Sequence, residues 1–310
     1  MSRGHHSRSE PVDGLLLLNK PAGLTSNQAL QKVKRLLGAK KAGHTGSLDP
    51  AATGMLPLCF GEATKVCAFL LNADKTYRVT ARLGTATDTG DATGAEIGST
   101  TVPELSAGQW DAILQGFLGE SLQIPPMYSA LKKDGRRLYE LARKGETVER
   151  EARSIRIDEI ELLEAAGLRL VFRVRCSKGT YIRSLVEDIA KVAGTLAHTA
   201  GLHRENVADF RAEDMLDLSR AEADAADGPE PLRERLLPPD TALAALPEVQ
   251  LDAIQTTRFR DGQTVPSGHN ESDGLARVYG GDQEFLGVGE FSTNGMLRPR
   301  RVFRLTEGHP

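Results

Sequence analysis

Along the stretch GHTGSLDPAATG, from Gly43 to Gly54, a single acid stands alone: Asp49, with two glycines before it, a proline directly after it and His44 five residues upstream. Glycines let a backbone come close to a bound molecule, and a lone carboxylate presented there suits a nucleophile or a base. The same Asp-Pro pair also reads as a helix N-cap followed by proline at the first helical position, and the two readings are compatible. Other chemistries find no footing. The chain has no G-x-x-x-x-G-K-[ST], no G-x-S-x-G, no H-E-x-x-H and no G-x-G-x-x-G after a strand. Asp88 and Asp91 miss the spacing of a calcium loop, and His44, Cys59 and Cys67 match no common metal site and lack a fourth ligand, so no metal is expected. None of the three cysteines, Cys59, Cys67 and Cys176, sits in a C-x-x-C pair, and each reads as a reduced, buried thiol.

The elements around Asp49 follow from periodicity. Residues 1–13 form a polar arm without the apolar stretch of a secretory signal, which points to the cytoplasm. GLLLLNK is a strand stopped at Pro21. A helix follows, with Thr25 and Gln28 as a capping box, Leu30, Val33, Leu36 and Leu37 at helical spacing, and Gly38 as its stop. AGHTGSLDPAATGMLPL is too rich in Gly, Thr and Pro for a regular element and reads as a structured loop. KTYRVTARLG alternates as a half-buried strand, with Tyr77, Val79, Ala81 and Leu83 on one face, and the polar TDTGDATG follows as a turn. Residues 124–155 read as an exposed, mobile, basic insertion, with nine basic residues between Lys132 and Arg156. LRLVFRVRC is a second alternating strand, with Leu168, Leu170, Phe172, Val174 and Cys176 inward and its arginines outward. IRSLVEDIAKVAG is an amphipathic helix that carries Arg183 in its first turn.

Residues 219–245 are rich in Ala, Asp, Glu and Pro and read as an acidic linking region. Short alternating segments then suggest a small β module over 246–310. Strands mixed with helices and many turns make the class α+β, with a mixed or antiparallel sheet. The 310 residues, 40% hydrophobic, suffice for one large or two unequal domains, and the longest apolar run, Leu15 to Leu18, is far short of the roughly 20 residues a membrane helix needs. No membrane span is expected.

The net charge of −3 hides an uneven distribution. From Gly14 to Leu48 there are six basic residues and no acid; from Arg173 to Arg183, four and none; Arg298, Arg300, Arg301 and Arg304 repeat the pattern, whereas Arg211 to Asp240 holds nine acids against four bases. Brought together by folding, the basic segments would make a face fit for a phosphate backbone, although solvated helix and strand faces would look the same.

In order, GLLLLNKPAGLTS, AGHTGSLDPAATGMLPLCFGEATK, KTYRVTARLG with TDTGD, IPPMYSALKKDGRRLYELARKG and CSKGTYIRSLVEDIA resemble the bacterial tRNA pseudouridine-55 synthase family, from about Gly14 to about Leu202. The resemblance implies a catalytic domain of pseudouridine-synthase type over 14–245 with a thumb-like insertion at about 124–155, and a PUA-like RNA-binding domain over 246–310. It implies an enzyme that converts one uridine of the tRNA T loop to pseudouridine after flipping the base out of the stack, with no cofactor or metal. Carried over by motif, Asp49 is the catalytic aspartate, Tyr77 lies beneath the base and Arg183 pairs with Asp49. Lys20 lies near the site, His44 supports the opened loop, and Tyr181 and Leu202 surround the pocket. A monomer is the default. Two other readings use the same residues: a non-catalytic protein that binds or folds tRNA, and a glycosylase that releases free uracil.

Overall fold

The computed structural model describes residues 11–129, 131–133, 135–268, 273–292 and 295–305. Of the expected arm, residues 1–10 lie outside that set, while Val12 and Asp13 are already buried, Asp13 accepting the Glu62 N–H at 2.6 Å. Strand β1 (Gly14–Lys20) is apolar and buried almost throughout, because both of its faces are covered. Leu16 and Leu18 pack with Ala29, Leu30 and Val33 of α1 (Ser26–Leu36), while Leu15 faces Met55 and Cys59. The capping box at Thr25 and Gln28 forms as expected.

The glycine-rich stretch is less irregular than its composition suggests. Ala42–His44 forms β2 and Thr53–Phe60 forms β3, so only residues 45–52 are loop. Met55, Leu56, Leu58, Cys59 and Phe60 are all fully buried, and a strand covered on both faces shows no alternation to read. After α2 (Cys67–Asn72), β4 (Lys75–Leu83) alternates as expected, with Tyr77, Val79, Ala81 and Leu83 inward and Arg78 and Arg82 in solvent. β5 (Thr85–Thr87) and β6 (Glu96–Ser99) flank the TDTGD turn, and α3 (Ala107–Gln115) and β7 (Gly119–Gln123) follow.

The basic insertion contains a small hairpin, β8 (Lys132–Lys133) and β9 (Arg136–Arg137), and a helical turn, α4 (Leu138–Ala142), with Leu138 and Leu141 buried. Its expected end at residue 155 falls inside β10 (Arg153–Ala166). In β11 (Arg169–Cys176) the inward residues are buried as read, but Leu168 lies in the preceding turn and is 42% exposed. The amphipathic helix is α5 (Ile182–Val192), followed by β12 (Ala197–Val207) and β13 (Leu216–Asp217).

One nine-stranded sheet runs in the order β13-β1-β3-β12-β4-β11-β10-β7, with β2 on the edge of β3. Only β1/β13 and β3/β12 are parallel, so the sheet is mixed and largely antiparallel. One detail positions the chemistry. Strand β3 pairs with β12 at Thr53 and Gly54 but with β2 from Leu58 to Phe60, and loop 45–52 emerges at this split.

Residues 219–245 are not a free linker. α6 (Leu218–Asp224) and α7 (Glu230–Arg233) bury Ala221 and Leu232 in the cluster around α1, and Leu15 and Leu237 exchange two backbone hydrogen bonds of 2.8 Å. The small Ala and Leu side chains pack while Asp224 is ion-paired with Arg220 and Arg235, a division that composition cannot show. The remaining elements, β14 (Glu248–Gln250), α8 (Ala253–Arg260), β15 (Val265–Pro266), β16 (Leu275–Tyr279), β17 (Phe285–Ser292) and β18 (Met296–Val302), build a separate five-stranded sheet. Tyr279, Phe285 and Phe303 from this part share one apolar cluster with Leu15, Met55 and Val66.

Candidate active site

Loop 45–52 is held from several sides. The Ser26 hydroxyl accepts the Leu48 N–H at 2.8 Å and donates to the Leu48 carbonyl at 3.1 Å, and Leu48 and Ala52 are buried beside Tyr77. Between these anchors, Asp49 stays open, its side chain 43% exposed. Its Oδ2 lies 3.0 Å from Nε of Arg183, whose own side chain is only 7% exposed. Arg183 also donates to the Thr89 carbonyl at 2.7 Å and to the Tyr128 carbonyl at 2.6 Å. One buried guanidinium therefore ties together the Asp49 loop, the TDTGD turn and the entrance of the basic insertion. The turn approaches closely: at Gly90, φ is +71° and a Cβ would lie 2.7 Å from Oε1 of Glu187.

Burial pushes the Asp49 carboxyl above its usual range; Arg183 and Lys20 oppose this, and Asp91 adds to it. Burial would raise Asp91 too, but hydrogen bonds from Thr93 and Thr89 and the charge of Arg183 hold it low. Asp49 is thus a half-open carboxylate whose charged form is opposed by burial and favoured by one close cation, an arrangement suited to a nucleophile or base. Tyr77 is 9% exposed, and burial raises its phenol so that it stays neutral.

The seven residues singled out from the sequence fall into four settings. Asp49, Tyr77 and Arg183 converge, with Leu202 packed against the cluster that holds Tyr77 and Leu48. Tyr181 caps α5 next to Arg183; its N–H donates to Gln123 Oε1 at 2.7 Å, and its phenol is half-buried near Ser129. Lys20 is fully buried beneath the loop, donating to the carbonyls of Pro21 and Leu24 at 2.8 Å and of Pro50 at 3.4 Å. Burial first, and then the nearby Arg204, pull its amine down to about 8 against the influence of Asp49. His44 ends β2 at the start of the loop, with a buried Nδ1 that has no hydrogen-bond partner, and burial and Arg204 lower its pKa, favouring the neutral ring.

Sequence reasoning missed Arg204, which is 1% exposed and touches the loop directly. Its only signal was a position two residues beyond Leu202 on the same strand. The basic segment from Arg173 to Arg183 also behaves differently from the expectation. Arg173 pairs with Glu161 and Glu205, and Arg175 with Glu159 and Asp74, so this part of the expected positive face is neutralised locally. Cys59 and Cys176 are buried as read, whereas Cys67 is half-buried. No helix is long and apolar enough to cross a membrane, and no group of three metal-ligating side chains occurs among the described residues.

Residues 34–182 match the family model for the TruB family pseudouridylate synthase N-terminal domain. Residues 183–244 match the tRNA pseudouridylate synthase B C-terminal domain, and 247–303 match pseudouridine synthase II TruB, C-terminal. Over 317 aligned residues the chain is 47% identical to tRNA pseudouridine synthase B of Aeromonas salmonicida, covering 100% of this chain and 99% of the relative. It is 50% identical to the protein of that name from Dechloromonas aromatica, over 96% and 97%. A solved Cbf5-Nop10-Gar1 complex contains a chain with a TM-score of 0.71 at 26% identity, covering 94% of this chain and 84% of that one.

Proposed function

The chain belongs to the TruB family of pseudouridine synthases, and from that premise we propose that it isomerises uridine 55 in the T loop of tRNA to pseudouridine, with Asp49 as the catalytic carboxylate. The observation that carries the reading is the half-open Asp49 held 3.0 Å from a buried arginine at a split in the sheet. The flipped uridine places its anomeric carbon at Asp49, which attacks it or removes a sugar proton. In either route the N1–C1′ bond breaks and the uracil turns; C5 then bonds to C1′ as the Asp49–C1′ bond breaks, or as the sugar proton held by Asp49 is returned, and C5 loses its proton while N1 gains one, so that no proton is lost overall. Neither a redox partner nor a metal is needed to balance this step.

Each surrounding residue has a role that its setting supports. Tyr77, kept as a neutral phenol, packs beneath the base; as an acceptor of the C5 proton it would have to pass on its own, and Asp49 is the nearby group able to take it. Arg183 keeps Asp49 ionised and aimed. Lys20 holds the far side of the loop through Pro50. Neutral His44 can stack where the base has left, and Tyr181 and Leu202 form the pocket wall. The catalytic domain spans 14–245 and a PUA-like module spans 246–310, grasping tRNA as a cytoplasmic monomer. The test is tritium release from tRNA labelled at uridine C5. The wild type is expected to release it and Asp49→Asn to release none while still binding tRNA. Release by Asp49→Asn at the wild-type rate would overturn the assignment.

A further inference from the structure

Where β3 passes from pairing with β12 to pairing with β2, the backbone between Gly54 and Pro57 needs another partner on that side. Arg204 supplies it. Its Nε donates to the carbonyl of Met55 at 2.6 Å, and its terminal nitrogen donates to the carbonyl of Gly46 at 3.1 Å. Gly46 lies at the start of loop 45–52 and Met55 three residues past its end, so one side chain ties both ends of the Asp49 loop. The strand that carries it is pressed equally close: at Gly54, φ is +98° and a Cβ would lie 2.3 Å from the Arg204 carbonyl oxygen, a space that only glycine leaves open. In register, Arg204 stands opposite Tyr77 on the other neighbouring strand, and its charge acts on the buried phenol, favouring the ionised form against burial. On the reverse face the adjacent His203 bonds Thr53 at 2.8 Å, so β12 grips the start of β3 from both sides.

A buried guanidinium usually has a carboxylate partner, since an unpaired buried charge is costly. Arg204 has no ion pair among the described residues, although Lys20, His44 and Tyr77 all feel its charge. Structure alone could be served there by a neutral donor. A permanent cation with five donors in a rigid fork does more: it fixes the loop through two carbonyls at once and keeps a positive charge beside the Tyr77 phenol.

We infer that Arg204 is a positioning residue for the isomerisation, holding the Asp49 loop and the Tyr77 phenol in one frame from beneath. This rests on the reading of Asp49 as the catalytic carboxylate. Being 1% exposed, the residue presents almost no surface to a bound base or sugar, so its effect belongs in the chemical step and not in tRNA affinity. A misplacement of the carboxylate by about 1 Å is enough to cost roughly 10²-fold in rate.

The experiment compares Arg204→Lys and Arg204→Ala with the wild type and with Asp49→Asn, by tritium release at saturating tRNA, by KM and by thermal unfolding. For Arg204→Lys, which keeps the charge but loses the fork, kcat is expected to fall at least about tenfold, with KM within about twofold and folding retained. Arg204→Ala is expected to fall about 10²-fold and to recover with added guanidinium but not with urea, which has a similar shape and no charge. Wild-type kcat in Arg204→Lys, a rise in KM alone, or failure of Arg204→Lys to fold would each overturn the inference and leave a structural residue. Equal rescue by urea would overturn the requirement for charge. Activity in Asp49→Asn would instead sink the underlying catalytic reading, whatever the Arg204 variants do.

Discussion

The two faces of the large sheet use arginine in opposite ways. On the α5 side, Arg183 and Arg204 are buried and spend most of their hydrogen bonds on backbone carbonyls; one half-open carboxylate, Asp49, sits between this buried charge and solvent. On the reverse side, Arg156, Arg173 and Arg175 lie in water, each paired with two acids brought close by the sheet. The same residue type, on opposite faces of one sheet, produces a directed field in one place and local neutrality in the other. Charge that is cancelled within 4 Å by a mobile partner in water contributes little at a distance, whereas charge kept in a dry, fixed frame acts on whatever sits beside it.

The largest effect expected from this contrast is at Arg183. Arg183→Ala should lower turnover by about 10²–10³-fold, as when a preorganised charge is removed from a reacting site, with a much smaller change in tRNA affinity. Arg183→Lys should recover only part of this loss, because one ammonium cannot reach Asp49, Thr89 and Tyr128 with the geometry of the fork. Single-turnover rates with excess enzyme make the comparison. A loss confined to affinity would place Arg183 with the reverse-face arginines and remove the distinction.

A moderate effect should appear in the pH profile. Asp49 must be ionised, and its pKa lies above the ordinary carboxylate value because burial outweighs Arg183. Activity should therefore fall as pH drops through that raised value. Asp91 pushes the Asp49 pKa up, so Asp91→Asn should move the acid limb of kcat/KM to lower pH. Arg183→Gln removes an opposing influence and should move the limb to higher pH. Both shifts are read from rates measured between pH 4 and 8 in a constant-ionic-strength buffer; identical limbs in all three proteins would assign the limb to another group.

Local patterns carried much of this into the sequence, and long-range pairings carried the rest. The caps of α1, the alternation of β4 and the stripe of α5 depend on neighbours a few residues away, and they read correctly. Asp49 stood out because its surroundings lack other charge. Strand β3 was hidden because burial on both faces erases alternation, and 219–245 looked like a linker because its packing partners lie about 200 residues earlier. Arg204 was invisible for the same reason: an arginine in a strand says nothing about whether a split elsewhere in the sheet needs its donors. The pairing of Arg173 with Glu161 and Glu205 likewise exists only once four strands, β10, β11, β4 and β12, have taken their register.

The smallest effects should come from the reverse face, and their smallness is informative. Arg173→Ala and Arg175→Ala should each change stability by less than about 1 kcal/mol, as exposed ion pairs do, and leave turnover unchanged. Lys40 and Lys41 are exposed beside the strand that ends in His44, with no acid paired to them among the described residues. If those lysines meet phosphates, each substitution by Ala should reduce the slope of log affinity against log salt by about 0.7–0.9, the amount for one neutralised phosphate. The reverse-face variants should leave that slope where it is, because an arginine already held by glutamate releases no counterion from RNA. A reduced slope for Arg173→Ala would mean that tRNA pulls this arginine from Glu161 and Glu205, and the neutrality of that face would then be a property of the free protein only.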